Sequence, residues 1–179
     1  SAVTSASVSV GSYALSEIGG PSGYTASSYS CVKNGTTLTP SNAISLSGGD
    51  TATCTITNTD NPPTLTLQKN VSNTNGGTAT SANFTLSASN GPTPFSGTGP
   101  TVTSGSSFDA GTYTLSESTR SGYTASAWNC TGGSQNGNNI TVGLGQNVTC
   151  AITNFDNVPP PECSLDLKVN QSSGYVNGP

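Results

Sequence analysis

The sequence repeats itself at a spacing of roughly 100 residues, the size of one small β domain. Tyr13-Ala14-Leu15-Ser16-Glu17 returns as Tyr113-Thr114-Leu115-Ser116-Glu117. GYTAS occurs from Gly23 and again from Gly122, and CTITNTDN from Cys54 returns as CAITNFDN from Cys150. The second copy runs from about Thr64 to Asp156 and reads as whole. The first opens in mid-domain by comparison, so its opening strands are missing. The division expected is residues 1–60 as a β-sandwich repeat lacking its first strands, 63–157 as a complete repeat, and 161–179 as the start of a third domain or a donor-strand tail. Pro62-Pro63 and Pro159-Pro160-Pro161 read as extended, semi-rigid linkers. The chain then reads as an excerpt from a longer string of domains, or as a subunit that borrows a strand.

Within the copies, apolar residues alternate with polar ones. Leu65, Leu67 and Lys69 share one parity; so do Phe84 and Leu86, then Tyr113, Leu115 and Glu117, then Cys150, Ile152 and Asn154. Short alternating runs divided by Gly, Pro and Asn predict an all-β fold of tandem sandwiches, and no segment carries a helical stripe. Composition agrees. Charged residues are 7% of the chain, against about a quarter in ordinary domains. Disordered chains pair low hydrophobicity with high net charge, whereas this net charge is only −4. The polarity comes from Ser, Thr, Asn and Gly, and Thr favours strands through its β-branch.

The same counts exclude functions. With no histidine, Ser-His-Asp and Cys-His catalysis and imidazole metal sites fall away. Lys33, Lys69, Arg120 and Lys168 are too few and scattered for nucleic acid. No apolar run approaches the roughly 20 residues of a membrane helix. Neither a phosphate loop, a GxSxG elbow nor an EF-hand loop occurs. The expectation is a non-enzyme without cofactor or metal, with no membrane insertion in this segment. Its partners would be neighbouring domains or copies of itself.

Cys31 and Cys54 in the first copy match Cys130 and Cys150 in the second. Four cysteines allow three pairings; the repeat favours Cys31–Cys54 and Cys130–Cys150. Each would close a loop of about 20 residues, on the order of 3 kcal/mol in the chain-entropy model. Disulfides point to an exported, extracellular protein. Cys163 is left unpaired.

The second copy resembles the prealbumin-like (CnaB/SpaA-type) repeat domains of bacterial cell-surface proteins. The resemblance rests on LTLQKN from Leu65, ANFTLSA from Ala82, GTYTLSE from Gly111, SGYTAS from Ser121 and CAITN from Cys150. It covers all of the second copy and the later two-thirds of the first, and it implies Ig-like/prealbumin-like sandwiches. In that family a first-strand Lys and a last-strand Asn join as an isopeptide, assisted by an acid on a middle strand. The resemblance maps these roles onto Lys69, Asn154 and Glu117. The alternation places all three on the core parity, where polar groups need one another. Burial there favours the neutral amine and the protonated carboxyl. The blander reading has Lys69 snorkelling outward and Asn154 capping a turn. In the first copy Glu17 and Asn58 hold the matching places without a lysine. A neighbour's strand could enter that gap, and the tail from Cys163 to Asn170, with Lys168, is the donor to consider; Lys168 falls off the Leu165-Leu167 parity.

Weaker signals remain. Asn58-x-Asp60-Asn61 and Asn154-x-Asp156-Asn157 read as Asx turns ending the last strands, ahead of a calcium site. Sequons at Asn34, Asn70, Asn83, Asn129, Asn139, Asn147 and Asn170 arise readily in such a composition. Most aromatics (Tyr24, Tyr29, Phe84, Tyr113, Tyr123, Trp128) read as core, and only Phe95 reads as free to touch a ligand. The function expected is a structural segment of a surface stalk or filament, with an adhesin binding glycan or protein as the alternative.

Overall fold

The computed structural model describes residues 6–160. Its regular structure is β throughout apart from one 3-10 turn at Ser81–Asn83. The first repeat contributes β1 (Gly11–Ala14), β2 (Tyr24–Ala26), β3 (Ser30–Lys33), β4 (Thr36–Thr37), β5 (Ala43–Leu46), β6 (Ala52–Thr55) and β7 (Asn58–Asp60). The second contributes β8 (Thr64–Ser72), β9 (Thr85–Ser89), β10 (Phe95–Thr98), β11 (Thr101–Thr103), β12 (Gly111–Glu117), β13 (Tyr123–Ala125), β14 (Asn129–Thr131), β15 (Ser134–Asn136), β16 (Asn139–Val142) and β17 (Asn147–Asp156). The segment from 161 to 179, with Cys163, Lys168 and the proposed tail strand, lies outside the described residues.

The second repeat is a sandwich. One sheet runs β10-β9-β12-β16-β15; the other runs β11-β8-β17-β13, with β14 also on β17. β8 and β17 pair in parallel, Leu67 opposite Cys150 and Lys69 opposite Ile152. The alternation read from sequence is the one that the sheets bury. Leu65, Leu67, Leu86, Tyr113, Leu115, Ile140, Val142, Val148 and Cys150 are shielded from solvent, and Ala88, Phe108, Trp128 and Ile152 complete the cluster.

Phe108 stacks on Tyr113 at 4.7 Å, and Phe95 meets Phe108 edge-on at 5.7 Å. The reading of Phe95 as a free side chain is therefore corrected: it is half-buried and packed on the core. Pro94 and Ser96 hid this, because β10 turns one parity inward only once the chain has passed the Asn90–Pro94 bend. The Tyr113 hydroxyl donates to Asp109 O at 2.8 Å. Beside this ring Gly91 is required, since a Cβ there would lie 2.3 Å from it.

The first repeat carries counterparts of β12 to β17 in thinner form, and none of β8 to β11 among the described residues. β1 pairs with β5, β2 with β7, and β4-β3-β6 form a ribbon. β6 and β7 together match the single strand β17. Cys31 and Ile44 are its only buried apolar side chains among the described residues. Tyr24, read from sequence as core, is instead 42% exposed. Its counterpart Tyr123 donates to Asn73 Oδ1 and accepts from Ala79 N, each at 2.8 Å, and no described residue of the first repeat stands in for that loop.

The linker is not a solvated spacer. Pro63 is fully buried, the Asn61 amide donates to Gly23 O at 2.8 Å, and the Gly145 amide donates to Asn61 O at 2.7 Å.

Candidate cross-link site of the second repeat

Lys69 comes from β8, Asn154 from the adjacent strand β17 and Glu117 from the end of β12 in the facing sheet. The inward parity that sequence assigned to each carries all three to one point between the sheets. Lys69 Nζ donates to Asn154 Oδ1 at 2.8 Å and stands 2.8 Å from Glu117 Oε2. The amine also lies 4.6 Å from the centre of the Phe84 ring, whose face attracts a cation. Lys69 is 3% exposed and Asn154 2%. Lys69 does not snorkel and Asn154 does not cap a turn; both are buried side chains within strands.

Removing an ammonium and a carboxylate from water costs several kcal/mol per ion, which mutual attraction repays only with good geometry. Here the Glu117 oxygen facing the amine makes no aligned hydrogen bond. One proton moved from Lys69 to Glu117 neutralises both groups, and it leaves an amine lone pair beside an amide carbonyl. Proximity of that kind lowers the entropic part of a reaction barrier by several kcal/mol. A cleft of about 320 Å³, lined by Glu117, Arg120, Tyr123, Trp128, Ile152 and Asn154, reaches the site from outside. It gives a small leaving molecule a way out.

In the first repeat Glu17 and Asn58 also come together, but exposed: Asn58 Nδ2 donates to Glu17 Oε1 at 2.7 Å. The disulfides tie neighbouring strands. Cys31–Cys54 joins β3 to β6 and Cys130–Cys150 joins β14 to β17, each between residues directly opposite in register.

Sequence reading missed Asp156. It is not an Asx turn closing the last strand but a buried carboxylate inside β17. It accepts from the amides of Thr74 at 2.8 Å, Asn75 at 2.6 Å and Gly77 at 2.8 Å. Those donors occupy the oxygens that a calcium reading would need. Burial works to raise its carboxyl, but the Gly77, Thr74 and Asn75 amides outweigh it and hold the group below the ordinary Asp range. The available signal was Asn73-Thr74-Asn75-Gly76-Gly77, a loop whose amides are free to point at an anion.

Prealbumin-like fold domains of the SpaA type match residues 1–56 and 60–152. The chain belongs to this family. Among solved structures, this prealbumin-like chain is similar to the major pilin protein T-13 from Streptococcus pyogenes, at 12% identity and a TM-score of 0.40, over 87% of this chain and 70% of that one. It is also similar to the T3.2 major pilin protein of Streptococcus pyogenes, at 17% identity and a TM-score of 0.39, over 83% and 68% of the two chains. No curated protein matches the sequence.

Proposed function

We propose that this chain is a non-catalytic, load-bearing segment of an extracellular bacterial stalk or filament, and that its second repeat is closed by an isopeptide between Lys69 Nζ and Asn154 Cγ. The observation that carries the proposal is the burial of Lys69, Asn154 and Glu117 within 2.8 Å contacts across the two sheets. The step balances without a co-reactant. Lys69 passes a proton to Glu117, and the neutral amine adds to the Asn154 carbonyl carbon while Glu117 returns the proton to the carbonyl oxygen. The former lysine nitrogen then passes a proton through Glu117 to Nδ2, the bond to Nδ2 breaks, the hydroxyl proton returns to Glu117 as the carbonyl re-forms, ammonia leaves, and an amide remains. The event happens once per molecule, so it is maturation rather than turnover.

The placement suits tension. Force entering near Thr64 and leaving near Asp156 pulls the parallel strands β8 and β17 past each other. A covalent link between residues 85 apart in sequence lets that force bypass everything between them. Disulfides in both repeats support an extracellular setting.

Denaturing mass analysis of reduced chain tests the bond. The expected mass is that of the sequence less one ammonia, with a Lys69–Asn154 linked peptide after proteolysis. Lys69→Ala restores full mass and removes a cross-link worth about 4–5 kcal/mol in the chain-entropy model, lowering Tm by roughly 20 °C. Wild-type chain at full sequence mass would overturn the proposal.

A further inference from the structure

Where Asn precedes Gly, the side-chain amide and the next backbone nitrogen meet with little hindrance, because glycine carries no Cβ. The described residues hold four such pairs, at Asn34, Asn75, Asn90 and Asn136, and a fifth, Asn177-Gly178, lies outside them. The fold treats the four differently. Asn34 Nδ2 donates to Asp50 Oδ1 at 2.6 Å, and its Oδ1 accepts from the Thr51 amide at 2.9 Å. Asn75 Nδ2 donates to Asp156 O at 2.8 Å, while the Asp156 carboxylate holds the amides of Asn75 and Gly77. Asn90 Nδ2 reaches Thr114 Oγ1 at 3.3 Å, and Gly91 is pressed against the Tyr113 ring. Asn136 is exposed, and its side chain bonds to no described residue. Gly137 beside it has φ +59, and a Cβ there would meet nothing within 4 Å.

We infer that Asn136-Gly137 is a site of self-modification, at which Asn136 becomes aspartate or isoaspartate with water as the co-reactant. The Gly137 nitrogen adds to Asn136 Cγ, its proton passes to Nδ2, and ammonia leaves a cyclic imide. Intramolecular placement supplies the rate. Water then opens the imide. Breaking the new bond at Cγ gives aspartate; breaking the original peptide bond gives isoaspartate, with the chain now running through the side chain. At the other pairs the amide must first give up its hydrogen bonds, which slows the same step by roughly tenfold.

The position gives the change a structural consequence. β15 is a three-residue edge strand, joined to β16 by the two-residue turn Gly137-Asn138 with Asn136 opposite Asn139. Gln135 ties this hairpin to the facing sheet. Its Oε1 accepts from the Cys130 amide at 2.9 Å, and its Nε2 donates to Trp128 O at 2.8 Å and to Gly137 O at 2.9 Å. Isoaspartate lengthens the main chain by one carbon just before the turn, and so tight a turn cannot absorb that in register. Gly137 O then leaves Gln135, and the tie to Trp128 loosens. Aspartate keeps the backbone and adds only a charge.

The test incubates the full chain in water enriched in heavy oxygen, folded and, in parallel, reduced in denaturant, and maps the peptides. Heavy oxygen is expected at Asn136 of the folded chain roughly tenfold faster than at Asn34, Asn75 or Asn90. In denaturant the four rates should converge. The Lys69–Asn154 amide takes up no water oxygen, so the two ammonia-releasing reactions are read separately. Uptake at Asn136 no faster than at the other three overturns the inference. So does the same ranking in denaturant, which would place the cause in local sequence. Trp128 is the single tryptophan, and its emission should shift to the red in aged chain but stay in place in Asn136→Asp. An equal shift in Asn136→Asp would overturn the account of the loosened tie.

Discussion

At the scale of single residues, the second repeat depends on buried polar groups whose partners come from distant segments. Asp156 gives the clearest pH dependence. Its carboxyl is held below the ordinary range in the fold, so its contribution to stability is present above about pH 4, the unfolded range for Asp, and is lost as pH falls through the folded value. Thermal melts between pH 6 and pH 2.5 should show a falling Tm. Asp156→Asn should melt several degrees lower at pH 6 and fall less steeply in acid. A slope unchanged by Asp156→Asn would assign the acid sensitivity elsewhere, with Asp50 the first candidate, since Ser47 and Asn34 also hold its carboxyl down. Strand parity alone suffices to put Lys69, Glu117 and Asn154 on the core side. Asp156 escaped because an Asp near Asn and Pro looks like a turn, and nothing local says that its amide donors lie about 80 residues away in sequence.

At the scale of elements, period two was legible wherever one face is buried, which is why Leu65 to Lys69, Tyr113 to Glu117 and Cys150 to Asn154 were readable as the inward faces of β8, β12 and β17, though not the strands' full lengths. The pairing of β8 with β17 was not legible, because alternation fixes which face a residue takes and is silent about which strand lies beside it. The first repeat shows the same limit: its alternation equals the second's, yet Tyr13 and Leu15 stay half-exposed for want of covering strands. The disulfides act at this scale by fastening short strands to long ones. β14 is only three residues long and is held to β17 by Cys130–Cys150. Replacing both cysteines by Ser should cost on the order of 3 kcal/mol in the chain-entropy model, read as a lower denaturation midpoint. The Lys69–Asn154 bond should still form, because β14 pairs with Thr149 to Ala151 of β17 and not with Asn154. Loss of ammonia release in that variant would show that the disulfide positions the reacting groups.

At the scale of the whole molecule, the joint between the repeats decides how force and orientation pass from one to the next. Proline pairs in sequence suggest a spacer, but here the joint is a set of contacts. The turn at Leu144-Gly145 abuts Gly23, and Asn61 is bonded on both sides. Gly23 has φ +84, and a Cβ on it would lie 2.6 Å from Leu144 Cβ and 2.8 Å from Leu144 O. Any larger residue must therefore push the second repeat away. Gly122 is the matching residue of the second repeat, with φ +80 and nothing within 4 Å of a built Cβ. The two glycines share a backbone strain and differ in the contact, so they form an internal control. Gly23→Leu should uncouple the repeats, giving different alignment tensors in residual dipolar couplings, while Gly122→Leu should leave one shared tensor. If both substitutions behave alike, the effect comes from left-handed backbone strain, and the joint is not a steric latch. If they separate, the glycine of the first GYTAS motif has a second role. It leaves room for the turn of the following repeat, and the angle between repeats is then set by packing rather than by the prolines.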